Sequence, residues 1–159
     1  MDVVPAGPAV LIRRLGPADA SVLALLARED ADFDLDGQGH SETPLAPRGA
    51  SAFLSDPDLL TWAAFAGQEV VGFLFCHVLR MRKEPACELL LYEIGVRSGW
   101  RRRGVGRRLV EAMVEWMRAE GIVTAWVLAG HEGAERFYEA CGFGPGPGPA
   151  TYLELTLAP

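Results

Sequence analysis

The stretch YEIGVRSGWRRRGVGRRLV, residues 92–110, joins the end of a buried strand to the start of a helix. Three arginines and two glycines stand where that helix begins. The first N–H groups of a helix have no partner inside it, and the helix dipole is positive at that end. Glycines let backbone N–H groups converge on an anion, and arginines add charge-assisted hydrogen bonds. The stretch therefore predicts a binding site for a diphosphate.

This basic turn differs from two common phosphate-binding motifs. It lacks the Lys-Ser/Thr ending of a P-loop, and arginines follow Gly104-Val105-Gly106 where a dinucleotide fingerprint has its third glycine. Six arginines within residues 97–108 are also compatible with a solvated face or with a nucleic-acid patch. These alternatives stay open when the basic turn is considered alone.

Length and composition favour one globular protein domain. The chain has 159 residues, of which 50% are hydrophobic, and we expect the domain to span residues 10–159 after an unstructured lead, residues 1–9. The N-terminus lacks a signal-peptide pattern and no apolar run is long enough for a bilayer. We therefore expect a cytoplasmic protein without membrane contact. Three cysteines without paired spacing favour neither a disulfide framework nor a metal site.

The charge is unevenly distributed along the chain. Six of the 15 basic residues lie in the basic turn, so nine basic residues face 21 acidic ones elsewhere. Six acidic residues lie close together in sequence: Glu29, Asp30, Asp32, Asp34, Asp36 and Glu42. This acidic segment is either a flexible solvated loop or a field that attracts a cationic substrate. On the second interpretation, Asp32, Asp34 and Asp36 are candidate substrate-binding residues. So much acid around one basic turn is unusual for a nucleic-acid binder.

Hydrophobic periodicity predicts an α/β protein, a mixed sheet with helices on its faces. The predicted strands are residues 10–15, 59–66, 69–79, 87–96, 122–128 and 151–157, and Gly67-Gln68 forms a hairpin turn. The predicted helices are residues 17–28, 48–54, 105–121 and 132–140, and residues 30–46 are predicted to be a long loop. The strand over residues 87–96 is apolar enough to be buried on both faces. Beyond Glu88 near its start, it has one charged residue, Glu93, which is therefore conspicuous.

Two motifs resemble those of the GCN5-related N-acetyltransferase (GNAT) superfamily. Arg101, Gly104 and Gly106 match its pyrophosphate loop, Gln/Arg-x-x-Gly-x-Gly/Ala, and ERFYEACGF, residues 135–143, is similar to its FYEKLGF segment. The resemblance covers about residues 10–157. It implies a mostly antiparallel sheet of about six strands with helices on both faces, splayed between strands 4 and 5. It also implies acetyl-CoA as co-substrate and no metal.

The resemblance also implies cofactor-binding residues. The pantetheine arm would pair with the backbone of Ile94, Gly95 and Val96, and the Val96 N–H would polarise the thioester carbonyl. Gly95 would permit a bulge or a close ligand approach. The diphosphate would contact the basic turn and the residues that follow it: Arg101, Arg102, Arg103, Gly104, Val105, Gly106 and Arg107. His131 stands where many members have asparagine. It is predicted either to contact CoA or to cap the next helix.

Two residues are predicted to move protons. An amine acceptor arrives mostly protonated, and the carboxylate of Glu93 is the candidate general base, with burial expected to raise its pKa. A structural ion pair between Glu93 and an arginine is the alternative. Tyr138 stands where the family places the tyrosine that protonates the departing CoA thiolate. A packing role for its ring is the alternative.

The acceptor is suggested by a further resemblance, to the aminoglycoside 3-N-acetyltransferases. Their tyrosine-aspartate pair corresponds to Tyr92-Glu93, so Tyr92 is a candidate substrate-binding residue. The resemblance implies a small polycationic amine as acceptor, a role in antibiotic resistance, and a homodimer. A polyamine, an amino-acid-like metabolite or a protein N-terminus is the alternative acceptor. A non-catalytic CoA-sensing or nucleic-acid-binding module is the alternative from another functional class.

Overall fold

The fold was obtained as a computed structural model that describes residues 9–34 and 41–159. The strands are β1 (Val10–Arg14), β2 (Leu59–Ala66), β3 (Glu69–Arg80), β4 (Cys87–Val96) and β5 (Ala125–Trp126). The α-helices are α1 (Ala20–Arg28), α2 (Asp30–Phe33), α3 (Pro47–Ser55), α4 (Val105–Glu120) and α5 (Glu132–Ala140). Short 3-10 helices cover Pro17–Asp19 and Ser98–Trp100. These elements form the predicted mixed α/β arrangement.

The five strands form one sheet in the order β1-β2-β3-β4-β5. The first three pairs are antiparallel, and Gly67-Gln68 makes the predicted hairpin turn between β2 and β3. The pair β4–β5 is parallel and joins only Leu89 to Ala125 and Leu90 to Trp126. Beyond Leu90 the two strands are unpaired, which confirms the predicted splay and leaves one edge of β4 open.

Helices cover both faces of the sheet, and this explains why β2 and β3 are almost continuously apolar. Helix α4 packs on one face, where Cys76 Sγ lies 3.6 Å from Met113 Sδ. On the other face, α1, α2 and α3 contribute Leu26, Phe33 and Leu54 to a buried cluster with Ala63 and Phe73. Glu93 lies on this second face, which is therefore where the candidate site is built.

Three sequence predictions about the elements were wrong. The strand predicted over residues 122–128 is only Ala125–Trp126, and residues 151–157 form no strand, so in the described residues the sheet has five strands instead of about six. Leucines alternate with polar residues from Leu153 to Leu157, but a strand needs a ladder partner, and these leucines are at least 80% exposed. The segment predicted as a loop from residue 30 begins with α2, whose first turn carries Asp30 and Asp32 at the positive end of its dipole.

The chain divides into two compact units, Met1–Leu128 and Ala129–Pro159. The single domain over residues 10–159 therefore stays a prediction, and the two units are described separately below. The predicted lead lies outside the described residues except for Ala9. In the described ranges, no helix is long and apolar enough to cross a membrane.

Candidate active site

A β-bulge in β4 determines where Glu93 points. Phe75 of β3 pairs with Glu93, and the next residue, Cys76, pairs with Leu91, so Tyr92 is an extra residue in β4. Leu91 shares the α4 face with Cys76 and is 1% exposed. Without the bulge, Glu93 would share that face, because side chains alternate with a period of two. The bulge turns Glu93 to the opposite face of the sheet.

The bulge also places Tyr92 on the face of Glu93. The Tyr92 ring lies 5.8 Å from the Phe75 ring and 5.2 Å from the His77 ring, centroid to centroid. Tyr92 remains 64% exposed. An exposed aromatic ring beside the candidate base is suitably placed to contact an acceptor. This geometry is consistent with the acceptor-binding role predicted for Tyr92, which stays a prediction.

An open cavity of about 260 Å³ lies between the sheet and the helices α1 and α3. Its lining is apolar apart from three carboxylates and two threonines. The carboxylates belong to Asp30, Glu42 and Glu93. The other lining residues are Leu23, Leu26, Ala27, Thr43, Leu45, Phe53, Thr61, Phe73 and Phe75. An amine with an apolar body matches this combination, because carboxylates bind the ammonium group and the rings bury the rest.

The electrostatics of the cavity favour a basic role for Glu93. Glu93 is exposed at the open mouth of the cavity, and the packing around its carboxyl there still raises its pKa by desolvation. The negative charges of Asp30, Asp34 and Glu42 raise the pKa of Glu93 further. Burial, followed by the charges of Asp34 and Glu42, also raises the pKa of Asp30. A cationic ligand would relieve this mutual repulsion, so the cavity selects for positive charge.

Asp32 takes part in an internal ion-pair cluster and does not line the cavity. Its carboxylate accepts a 3.0 Å hydrogen bond from Arg97 and a 2.6 Å hydrogen bond from Ser98 Oγ. The Ser98 hydrogen bond is the main cause that lowers the pKa of Asp32; burial opposes it, and the hydrogen bond and charge of Arg97 lower the pKa further. The structure therefore brings Asp30 and Glu42 to the cavity in place of the predicted Asp32. Asp36 lies outside the described residues.

Arg97 is the centre of that cluster. Its guanidinium pairs with Glu29 at 2.7 Å and donates through Nε to the Val70 carbonyl at 3.0 Å. It also lies over the Phe33 ring, 4.7 Å from the centroid. Arg97 thus fixes α2 to the end of β4, and through α2 it positions Asp30 at the cavity.

Replacing Arg97 with methionine should destabilise the fold by about 1 to 3 kcal/mol, because charge-assisted hydrogen bonds are lost from a partly buried site. The melting temperature should fall by about 2 to 4 °C for each kcal/mol. The Asp32 pKa is lowered in the folded protein, so the stabilisation that it contributes exists above the pKa of unfolded aspartate and is lost on acidification. The difference between variant and wild type should therefore shrink at low pH. Arg82→Met, at an exposed position, is the control, and equal melting temperatures for both variants would contradict the role of Arg97.

Arg101 is also bound within the chain. Its Nε donates to the Val96 carbonyl at 3.1 Å, and its Nη2 donates to the carbonyl of Asp34 at 2.6 Å. Asp34 therefore contacts the basic turn through its backbone, and its role in acceptor binding stays a prediction. Arg101 thus joins the basic turn to the end of α2. Its side chain would have to contact a diphosphate while it is also hydrogen-bonded to these carbonyls.

The basic turn has the backbone geometry that an anion site needs. Gly104 precedes α4 with a φ of 78°, and a Cβ added there would meet no atom within 4 Å. Helix α4 follows for 16 residues, and its first backbone bond runs from the Arg108 N–H to the Gly104 carbonyl. Arg102 has a φ of 60°, and Arg103 lies over the Trp100 ring. The open space at Gly104 and the N–H groups of the first turn of α4 fit a diphosphate.

The open edge of β4 fits a pantetheine arm. The Arg97 N–H donates to Val71 in β3 at 2.9 Å. Consecutive residues of a strand direct their N–H groups to opposite edges, so the Val96 N–H points toward the side where β5 has diverged. An extended ligand could add there as a strand would.

Gly95 lies in β4 for a reason that the sequence did not show. A Cβ at Gly95 would lie 2.7 Å from Phe73 Cε1 and 2.9 Å from Phe33 Cβ. The close approach is therefore made by α2 of the chain itself, and the bulge is at Tyr92. Contact of Ile94 or Gly95 with CoA stays a prediction.

The second unit carries His131 and Tyr138. His131 is the N-cap of α5, and its Nδ1 accepts a hydrogen bond from the Ala134 N–H at 3.2 Å. Tyr138 is buried in α5, and its ring contacts those of Phe137 and Phe143 at 5.2 and 5.5 Å. The capping role weighed for His131 is thus present, and the roles of both residues toward CoA stay predictions.

Sequence reasoning missed three residues of the cavity. Asp30 and Glu42 were visible in the acidic segment, but nothing in their spacing separated them from Asp32. Thr61 was visible as a polar residue in the apolar strand LLTWAAFA. In the described part of the chain, no group of three or more His, Cys, Asp or Glu residues is arranged to hold a metal ion.

Comparison with known proteins identifies the class of protein that has this fold and this basic turn. The chain belongs to the Acetyltransferase (GNAT) family, whose sequence profile matches residues 24–143. It is 28% identical over 102 residues to the N-alpha-acetyltransferase RimI of Mycobacterium tuberculosis. This alignment covers 64% of this chain and 63% of that protein. It is 38% identical over 58 residues to the [ribosomal protein bS18]-alanine N-acetyltransferase of Salmonella typhimurium, covering 35% of this chain and 39% of that protein. The aligned segments thus span less than two thirds of both relatives.

Among solved structures, an aminoglycoside acetyltransferase from an uncultured soil metagenomic sample, in complex with sisomicin, has the same fold. Its TM-score is 0.76 at 18% identity, over 92% of this chain and 97% of that one. At this identity the likeness establishes the fold alone.

Proposed function

We propose that the chain transfers the acetyl group of acetyl-CoA to a primary amine of a polycationic acceptor, by direct transfer in a ternary complex. The observation that carries this proposal is Glu93, a carboxyl with a raised pKa in a cavity that contains two further acids. Family membership supports acetyl-CoA as the donor. The basic turn and the open edge of β4 fit its diphosphate and its pantetheine arm.

Glu93 acts as the general base. The acceptor enters as an ammonium ion, held by Glu93, Asp30 and Glu42, and Glu93 takes its proton directly or through a water molecule. Acetyl-CoA supplies the acetyl group as a thioester. With acetyl-CoA bound, the Val96 N–H would donate to the thioester carbonyl, and the first turn of α4 with Arg102, Arg103 and Arg107 would hold the diphosphate. Tyr138 is the residue to which the family resemblance assigns the protonation of the departing thiolate. Positioning of the two reactants supplies the largest part of the rate, up to roughly 7 to 11 kcal/mol.

An aminoglycoside is the proposed acceptor, with the 3-amino group as the site of transfer. The acidic cavity supports a polycation, and Tyr92 beside it is a surface for a sugar ring. The related fold that binds sisomicin is consistent with this acceptor class. Acetylation of such an amine removes a positive charge, which is the chemistry of antibiotic resistance.

A protein or peptide N-terminus is the second candidate acceptor. The cavity is small, and Leu23, Phe53 and Phe73 are among its apolar walls. Such walls suit a short apolar side chain beside an N-terminal amine. The matches to a [ribosomal protein bS18]-alanine N-acetyltransferase and to an N-alpha-acetyltransferase favour this candidate on sequence grounds.

A nucleic-acid-binding role has weaker support. Arg97 and Arg101, two of the six arginines in residues 97–108, donate their hydrogen bonds within the chain. The surface left to phosphates is correspondingly smaller, and Glu29, Asp32 and Asp34 of the acidic segment lie beside it. A backbone-binding surface needs several free cations along one face.

The acceptor can be identified by measuring CoA-thiol release with gentamicin, sisomicin, spermidine and a short alanine-first peptide. We expect the aminoglycosides to have the highest kcat/KM, and NMR of the product to locate the acetyl group on the 3-amino nitrogen. The same panel without protein is the control. Turnover of the peptide alone would replace the aminoglycoside by the N-terminal acceptor, and turnover of no amine would contradict the proposed function.

A further inference from the structure

The hydroxyl of Thr61 is a buried polar group to which the described residues offer no hydrogen-bond partner. Thr61 lies in the middle of β2 and is 3% exposed. Within residues 9–34 and 41–159, its Oγ1 is the buried side-chain nitrogen or oxygen that lacks a partner in the protein. Burying a hydroxyl without a partner is unfavourable, and each such group calls for an explanation. Thr61 also lines the cavity, so a rotation of its side chain would let a bound molecule supply the missing partner.

Thr61, Phe75 and Glu93 form one row across three strands. Thr61 of β2 pairs with Phe75 of β3, and Phe75 pairs with Glu93 of β4. All three side chains line the same cavity. Neighbouring strands are about 4.8 Å apart, so Thr61 and Glu93 stand about 10 Å apart with the Phe75 ring between them.

The row has the form of a site with two polar ends and an apolar centre. Glu93 and the nearby Asp30 provide a negative end, and Thr61 provides a neutral hydroxyl at the other. Each hydrogen bond takes up about 3 Å. The two polar groups of a ligand that bridges the row would therefore be about 4 to 6 Å apart, which is the distance across a six-membered ring.

We propose that Thr61 determines acceptor specificity by binding a second polar group of the acceptor, a hydroxyl or an amine across a six-membered ring from the reacting amine. The ring itself packs on Phe75. This inference rests on the proposed function, because it places the reacting amine at Glu93. It narrows the acceptor class to amino-substituted rings such as aminocyclitols, and it disfavours simple alkylamines.

Two matched amines test the inference by binding alone, without acetyl-CoA. The probes are trans-4-aminocyclohexanol and cyclohexylamine, which differ by one hydroxyl, and the readout is the dissociation constant from NMR titration. The wild-type protein should bind the aminocyclohexanol about 3- to 10-fold more tightly, as expected for one hydrogen bond. Thr61→Val keeps the shape and removes the hydroxyl, so this preference should fall below about twofold. Thr61→Ser should keep it.

Thr156→Val, the same change at an exposed position of the second unit, is the matched control and should keep the wild-type preference. An unchanged preference in Thr61→Val, or a wild-type protein that binds both amines equally or binds neither, would overturn the inference. A water molecule bound permanently to Thr61 would give that equal binding.

A second measurement on the wild-type protein covers the case in which Thr61→Val fails to fold. The Thr61 methyl protons should show nuclear Overhauser effects to the ring proton beside the ligand hydroxyl, and none to the proton beside the amine. The reverse pattern would contradict the proposed orientation. Turnover is not used in either measurement. Failure to acetylate any amine would therefore contradict the proposed function while leaving the binding result to decide the role of Thr61.

Discussion

Replacing Glu93 with glutamine is expected to lower the turnover of amine acceptors by about 10²- to 10⁴-fold, the usual contribution of a general base. Glutamine has nearly the same shape but cannot accept the ammonium proton. The affinity for acetyl-CoA should stay near that of the wild type, because Glu93 faces the acceptor cavity. The measurements are steady-state kinetics with the best acceptor and titration with acetyl-CoA.

The stability of this variant separates a chemical role from a structural one. The pKa of Glu93 is raised in the folded protein, first by burial and then by the charges of Asp30, Asp34 and Glu42. Because the folded protein binds the Glu93 proton more tightly than the unfolded chain does, protonated Glu93 stabilises the fold. This stabilisation is complete below the pKa of unfolded glutamate and is lost as the pH rises through the pKa of the folded state. At neutral pH, Glu93→Gln should therefore melt at the same temperature as the wild type or higher. A clearly lower melting temperature would indicate a structural ion pair.

The pH dependence gives an independent check on the same residue. In the wild type, kcat/KM should fall on acidification through the raised pKa of Glu93, at a higher pH than an ordinary glutamate would cause. The ratio of the wild-type rate to the Glu93→Gln rate should fall over the same pH range. Because both proteins use the same acceptor, the titration of the acceptor amine does not affect this ratio. Glu111→Gln, on the exposed side of α4, is the matched control. A ratio that stays constant with pH would contradict the role of Glu93 as a base.

Replacing Gly95 with alanine is expected to destabilise the fold by about 3 kcal/mol, the upper part of the usual range for overpacking. The added Cβ would lie 2.7 Å from Phe73 Cε1, 2.9 Å from Phe33 Cβ and 3.1 Å from the Phe33 carbonyl oxygen. The Phe73 ring can rotate away, but Phe33 is 1% exposed and its backbone belongs to α2. At about 2 to 4 °C for each kcal/mol, the melting temperature should fall by about 6 to 12 °C.

The displacement should also change the cavity. Helix α2 carries Asp30, so moving Phe33 away from Gly95 should alter the acid cluster, and the KM for the acceptor should rise in any Gly95→Ala protein that folds. Gly99→Ala is the matched control, because a Cβ at Gly99 would meet no atom within 4 Å. It should change stability by no more than about 0.5 kcal/mol. Equal melting temperatures for the two variants would show that α2 moves away from the added Cβ without loss of stability, and would contradict this prediction.

The sequence alone was sufficient for the basic turn and for most elements around it. Glycines and arginines at a helix start are local signals, because the dipole and the free N–H groups belong to the helix itself. The strands β2 and β4 and the hairpin at Gly67-Gln68 were predicted with correct or nearly correct bounds, because apolar runs and turn residues are also local. Thr151 to Leu157 has the same local pattern and forms no strand, because a strand depends on its partner.

Which acids form the cavity was decided only in three dimensions. Asp30, Asp32 and Asp34 look alike in sequence, but Arg97 engages the carboxylate of Asp32, Arg101 holds the carbonyl of Asp34, and Asp30 remains at the cavity. These partners are more than 60 residues away along the chain. No short-range pattern contains them.

The sequence by itself determined that the protein has a turn rich in glycine and arginine at the start of α4 and a glutamate in the strand before it. The tertiary structure decided which way that glutamate points. A single extra residue, Tyr92, moves Glu93 from the α4 face to the cavity face. Alternation in a strand has a period of two, so one inserted residue reverses every side chain beyond it, and the insertion exists only relative to the register of β3.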